Sequence, residues 1–123
     1  MAWFRIYGDT FTVSGSSSTA KQLEVKESAT GFIPGSWRPY RFMIYRSDSG
    51  STDTFYVTVV NVNGMESILI NKLSFPAGIN AIQVEWNPQY AVPPTIEPGN
   101  TIKVYYTNTG LIAKDISFTI VVV

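Results

Sequence analysis

Residues 54–62, Thr54-Phe55-Tyr56-Val57-Thr58-Val59-Val60-Asn61-Val62, are β-branched or aromatic almost throughout, the side chains that pack best on a pleated, half-buried surface. Successive side chains of a strand point to opposite faces, so Phe55, Val57 and Val59 share one face and Tyr56, Thr58 and Val60 the other. Asn63-Gly64 follows, a pair that accepts the positive φ values of a tight hairpin turn. Glu66 to Phe75 supplies the return strand, with Ile68 and Ile70 set against Leu69 and Asn71. The stretch predicts a β-hairpin, and its period of two is the period of the rest of the chain.

Toward the C-terminus, Thr101–Thr107 places Ile102, Val104 and Tyr106 on one face and Lys103, Tyr105 and Thr107 on the other. After Asn108-Thr109-Gly110, Ile116, Phe118, Ile120 and Val122 share an inward face. Two alternating runs around a glycine-containing turn predict a second, terminal hairpin. Shorter strands are expected at Ala2–Tyr7 and Thr10–Val13 on either side of Gly8-Asp9. Others are expected at Gln22–Lys26 after a Ser14–Thr19 loop, at Arg41–Arg46 with Phe42 and Ile44 inward, and at Ile79–Trp86 with Ile82 and Val84 inward. No window carries a helical period, and about eight or nine strands joined by Gly, Pro, Ser and Asn turns imply an all-β chain. The expected fold is an antiparallel β-sandwich of jelly-roll or immunoglobulin-like topology, in a single domain spanning 1–123. The last strand, ending Ile120-Val121-Val122-Val123, is apolar on both faces, so it is expected in the centre of its sheet or under a neighbouring chain.

The segment Glu97-Pro98-Gly99-Asn100-Thr101, its alternating strand, Thr107-Asn108-Thr109-Gly110 and then Ala113-Lys114-Asp115-Ile116 resembles the immunoglobulin-like repeats of prokaryotic surface proteins. The resemblance runs from Glu97 to Val122 and implies a structural spacer or adhesive module with no catalytic residues.

Composition excludes much chemistry. Among 123 residues there are nine basic and nine acidic side chains, no His and no Cys. Charged residues make up 15% of the chain, against roughly 25% in an ordinary domain, and 24 Ser and Thr supply the polarity instead. Disulfides, thiolate nucleophiles, zinc–sulfur sites and His-based triads are therefore out. Zero net charge argues against a nucleic-acid partner. No metal, no cofactor and no catalytic residue is expected, and the chain reads as non-enzymatic.

Two long loops draw the remaining attention. Residues 28–40 carry Trp37, Arg38 and Tyr40; residues 87–100 carry Tyr90 and four prolines and follow Trp86. Long loops in small domains tend to bind or to pack at an interface. Trp37, Arg38, Tyr40, Trp86 and Tyr90 are accordingly the candidate interface or ligand-binding residues, either as a stacking platform for sugar rings or as subunit contacts. Other constellations are weaker. Glu85 and Glu97 form the one imaginable glycosidase pair, but Glu85 reads as a solvent-facing strand residue. Ser47 to Asp53 offers oxygen ligands without the spacing of a calcium loop, and turn chemistry accounts for it. Arg38, Arg41 and Arg46 near Tyr40 and Tyr45 are too few for a phosphate backbone and suit salt bridges or cation–π contacts.

Met1 to Asp9 lacks a basic segment leading into an apolar run, so no secretory leader is expected, and no run is long enough for a membrane helix. A hydroxyl-rich, charge-poor β-domain made without a leader suits a virus or phage particle. The expected role is a structural subunit of the virion (capsid, minor capsid or decoration) whose partners are copies of itself or another coat protein. The alternative is an extracellular or cell-surface module that binds a glycan.

Overall fold

The computed structural model describes residues 4–26, 36–86 and 95–123. Among them the chain forms β1 (Arg5–Val13), β2 (Ser17–Glu24), β3 (Pro39–Arg46), β4 (Asp53–Val60), β5 (Glu66–Phe75), β6 (Ala81–Glu85), β7 (Thr101–Asn108) and β8 (Lys114–Val122). One sheet has the order β1-β8-β3-β6 and the other β2-β7-β4-β5, with every pairing antiparallel. First pairs with last, second with seventh, third with sixth and fourth with fifth. That nesting is one long hairpin folded over on itself, and of the two topologies the strand pattern left open it is the jelly roll and not the immunoglobulin-like one.

The β4–β5 hairpin forms as expected, with Gly64 at φ 83° in its turn. The terminal hairpin does not. β7 and β8 lie in different sheets, because the connection between them is anchored sideways. The Asn108 side-chain amide donates to the Ser14 and Ile112 carbonyls at 3.2 and 2.9 Å, and Ser16 N–H donates to the Gly110 carbonyl at 2.8 Å. These bonds hold the connection against the β1–β2 corner and send β8 across to the opposite sheet. There β8 runs between β1 and β3, central as its two apolar faces require.

Smaller expectations also change. Gly8-Asp9 is no turn: β1 runs through it, and a Cβ at Gly8 would lie 2.6 Å from the Phe118 carbonyl oxygen. The Ser17–Thr19 segment is strand, paired with Thr107 and its neighbours. In β5, register shifts around Val57 turn both Leu69 and Ile70 inward and leave Ile68 exposed, so a simple alternation fails there.

Between the sheets, Phe42 stacks on Phe55 and on Phe118 with centroids 6.1 Å apart in both pairs. Phe75 meets Phe55 edge-on at 6.0 Å. One end of this core is closed by Trp37, buried and bridged to Ile96 by reciprocal backbone bonds of 2.7 Å.

The other end is closed by charge. Asp53 at the start of β4 is fully buried, as are Arg46 at the end of β3 and Lys114 at the start of β8. Asp53 Oδ2 accepts from Arg46 Nη1 at 2.9 Å, Lys114 Nζ at 2.7 Å and the Tyr106 hydroxyl at 2.6 Å. Its Oδ1 accepts from Ser51 Oγ at 2.8 Å and Thr109 N–H at 2.9 Å. Arg46 also donates to the carbonyls of Ile79, Ser51 and Pro76 and lies 4.2 Å from the Phe75 ring centre. Burial alone would raise the Asp53 pKa, but donors from Lys114, Tyr106, Thr109 and Ser51 outweigh it and hold the carboxyl well below its ordinary 3.8. Burial and the bond to Asp53 push the Tyr106 hydroxyl well above its ordinary 10.0.

Removing the carboxylate strands two buried cations, which costs about 3–5 kcal/mol. Urea unfolding of Asp53→Asn at pH 7 is expected to show that loss with an unchanged m-value. Since the folded pKa lies below the unfolded one, the contribution is complete above about pH 4 and lost as the pH falls through the acid range. The gap between wild type and Asp53→Asn therefore narrows in unfolding curves recorded at pH 3 and below.

Candidate functional site

The outer faces of the two sheets are chemically different. On the β1-β8-β3-β6 sheet, register sets Ile6 beside Val121, Val121 beside Arg41, Met43 beside Thr119, and Tyr45 between Ser117 and Ala81. Ile6, Met43, Tyr45 and Val123 are all exposed, and a shallow depression of about 250 Å³ runs between Met43, Tyr45, Ala81 and Thr119. The pattern follows from alternation: the partners of Phe42, Ile44, Phe118 and Ile120 in the strand period must face out, and here many of them are apolar or hydroxylic. An ion pair runs from within the patch to the edge strand β6. Arg41 bonds Glu85 at 3.1 Å and lies 5.5 Å from the Tyr40 ring centre.

The sequence-derived candidates divide across this architecture. Tyr40 is exposed at a bulge of β3, where the register shifts between Pro39 and Arg41. Arg38 is exposed, and its backbone exchanges two 2.8 Å bonds with Val123 at the end of β8. Trp86 packs half-buried on the core, and its backbone N–H donates to the Tyr40 carbonyl at 3.1 Å. Arg38 and Tyr40 are thus exposed, while Trp86 packs on the core. Trp37, at 1% exposure, is a core residue and offers no ring face to a ligand. Tyr90 lies outside the described residues.

Other constellations dissolve. Arg46 is buried in the ionic cluster, apart from the exposed Arg38. Asp53 belongs to that cluster and not to a calcium-binding turn, its oxygens being taken by Arg46, Lys114, Tyr106, Ser51 and Thr109. Glu85 is held at the surface by Arg41 and by Gln83 at 2.7 Å. Among the described residues no group of three or more carboxylates, His or Cys could hold a metal ion.

What sequence reading missed is the face itself. Ile6, Met43 and Tyr45 are exposed and Val121 is half-buried, and scattered apolar residues of this kind are ordinary on a strand surface. They become a patch only when β1, β8 and β3, remote in sequence, lie side by side.

No protein-family model matches the sequence, and no curated protein matches it either. Solved structures share its chain path. A mitogen derived from Yersinia pseudotuberculosis aligns with a TM-score of 0.51 at 10% identity, over 94% of this chain and 84% of that one. PirA aligns with a TM-score of 0.51 at 11% identity, over 91% of both chains. A structure of the infectious bursal disease virus Gx strain aligns with a TM-score of 0.38 at 13% identity, over 96% of this chain and 32% of that one. The first two confirm the β-sandwich and nothing about activity, and the third carries no functional weight.

Trp37 and Tyr40, read together from sequence, now separate. Trp37→Ala is expected to lose about 3–5 kcal/mol by emptying a core site, and Tyr40→Ala, on the surface, less than about 0.5–1 kcal/mol. Chemical denaturation of the two variants checks both.

Proposed function

We propose that this chain is a non-enzymatic structural subunit of a virus or phage particle, a capsid, minor capsid or decoration protein. It docks through the outer face of the β1-β8-β3-β6 sheet on copies of itself or on another coat protein. The observation that carries this reading is the apolar outer face on which Ile6, Met43 and Tyr45 are exposed and Val121 is half-buried. Apolar surface of this kind marks interaction sites, and Met and Tyr are enriched at their centres. Glu85 on the edge strand β6, paired with Arg41 beside Val121, supplies charge at the margin, as the polar rim of such sites does.

The low charge supports the same reading. A particle subunit is covered on several sides and needs few ions to stay dispersed, whereas a free domain of this size relies on them. A location in the virion follows from the proposal, with an extracellular surface as the alternative. The alternative, glycan binding by loop aromatics, loses Trp37, which is buried, and keeps the exposed Tyr40.

Size-exclusion chromatography with light scattering, at rising protein concentration, tests the docking. The wild type is expected to form a defined oligomer, and Met43→Lys with Tyr45→Glu to give a monomer with an unchanged melting midpoint. A wild type that stays monomeric at high concentration and needs no partner protein overturns the reading.

A further inference from the structure

The opposite sheet presents a different surface. On its outer face, register sets Ala20, Tyr105 and Tyr56 in one row and Ser18, Thr107 and Thr54 in the next. Tyr56 and Tyr105 stack with centroids 4.2 Å apart and planes 8° from parallel. Tyr56 thus covers one face of the Tyr105 ring. On the other side stands β2, where the neighbour is Ala20, a side chain too small to fill the space beside the ring. The result is a cavity of about 280 Å³ lined by Ser18, Ala20, Tyr56, Tyr105 and Thr107 among others.

The ring that walls this cavity is held in place. Tyr105 donates its hydroxyl to Glu66 Oε1 at 2.5 Å, and Thr58 Oγ1 donates to the same oxygen at 2.5 Å. Thr58 and Tyr105 together hold the Glu66 carboxyl below its ordinary 4.5, so it stays ionised as their acceptor. Lys103 places its ammonium 4.8 Å from the Tyr105 ring centre, and with Glu66 it leaves the neighbourhood without net charge. Ser18 and Thr107 bond each other at 2.9 Å, and each hydroxyl can rotate to a new partner because it both donates and accepts.

We infer that this cavity is a binding site for a single neutral pyranose, which packs against the Tyr56–Tyr105 pair above Ala20 and hydrogen-bonds to Ser18 and Thr107. Three features favour that ligand class. An aromatic wall beside a hydroxyl floor complements a molecule with an apolar C–H face and a hydroxyl rim. The balanced charges of Lys103 and Glu66 give no reason to select a phosphate or carboxylate. The volume falls just under the roughly 300–1,000 Å³ of sites for drug-sized ligands, which suits one ring and not an extended chain. The site is on the sheet face opposite the proposed docking face and stands or falls independently of it.

Ligand-observed saturation-transfer NMR tests the assignment on the full chain, with the methyl glycosides of galactose, glucose and mannose as probes. At least one is expected to receive saturation from the wild type. Tyr105→Ala removes the wall and Ala20→Gln fills the cavity from an exposed edge-strand position that should not disturb folding. Each is expected to weaken binding about tenfold or more, the scale of a lost aromatic contact, while Tyr105→Phe retains it within a few-fold. Circular dichroism checks that the variants are folded. Absence of transfer to all three glycosides, or equal transfer in wild type and Ala20→Gln, overturns the inference, as does a response to inorganic phosphate alone.

Discussion

The contact on which this jelly roll depends is the one between Asp53 and its two cations. Arg46 and Lys114 belong to one sheet, Asp53 and Tyr106 to the other. The cluster is therefore an ionic clasp across the sandwich, placed where the aromatic core ends. A buried ion pair is seldom a large net gain over apolar packing, because desolvation offsets most of the attraction. Its consequence is selectivity. A slip of one residue in β4 would carry Asp53 to the solvent face and leave Arg46 and Lys114 buried without a counter-charge. Nested pairing of strands far apart in sequence gains its register from that penalty.

With one end clasped and the other closed by Trp37 and Ile96, the inner faces are fully used in holding the fold. The outer faces are left to interact with other molecules, and they differ. One is an apolar sheet with a charged margin, suited to another protein. The other sets a stacked tyrosine pair against small hydroxylic residues, suited to a small polar ring.

Much of the fold was legible because alternation is a local property. The inward sets Phe55-Val57-Val59, Ile102-Val104-Tyr106 and Ile116-Phe118-Ile120-Val122 all lie in the core. Asn63-Gly64 marks a real turn. The β7–β8 connection was misread because a turn sequence reports that the chain reverses, not which sheet it enters, and the Asn108 bonds that decide this join residues distant in sequence. The clasp was legible in principle. Arg46 shares the parity of Phe42 and Ile44, Lys114 that of Ile116, and Asp53 that of Phe55, so period two places opposite charges on the core side of three strands. Charge ordinarily points to solvent, and at these three positions parity outranks it. The candidate site was least legible: among the described candidates Arg38 and Tyr40 are exposed, Trp37 is buried and Trp86 packs half-buried on the core, and the apolar face itself comes from strands the sequence keeps apart.

Two methionines offer the most direct measurement of which surface is covered on assembly. Met43 lies at the centre of the apolar face with 45% of its surface exposed, and Met65, in the β4–β5 turn away from that face, has 68% exposed. Oxidative footprinting read by mass spectrometry, on dilute and concentrated protein, compares them within one molecule. Docking through the β1-β8-β3-β6 face predicts that Met43 oxidation slows several-fold with concentration while Met65 is unchanged. Equal oxidation of Met43 at every concentration, or protection of Met65 in its place, would contradict it.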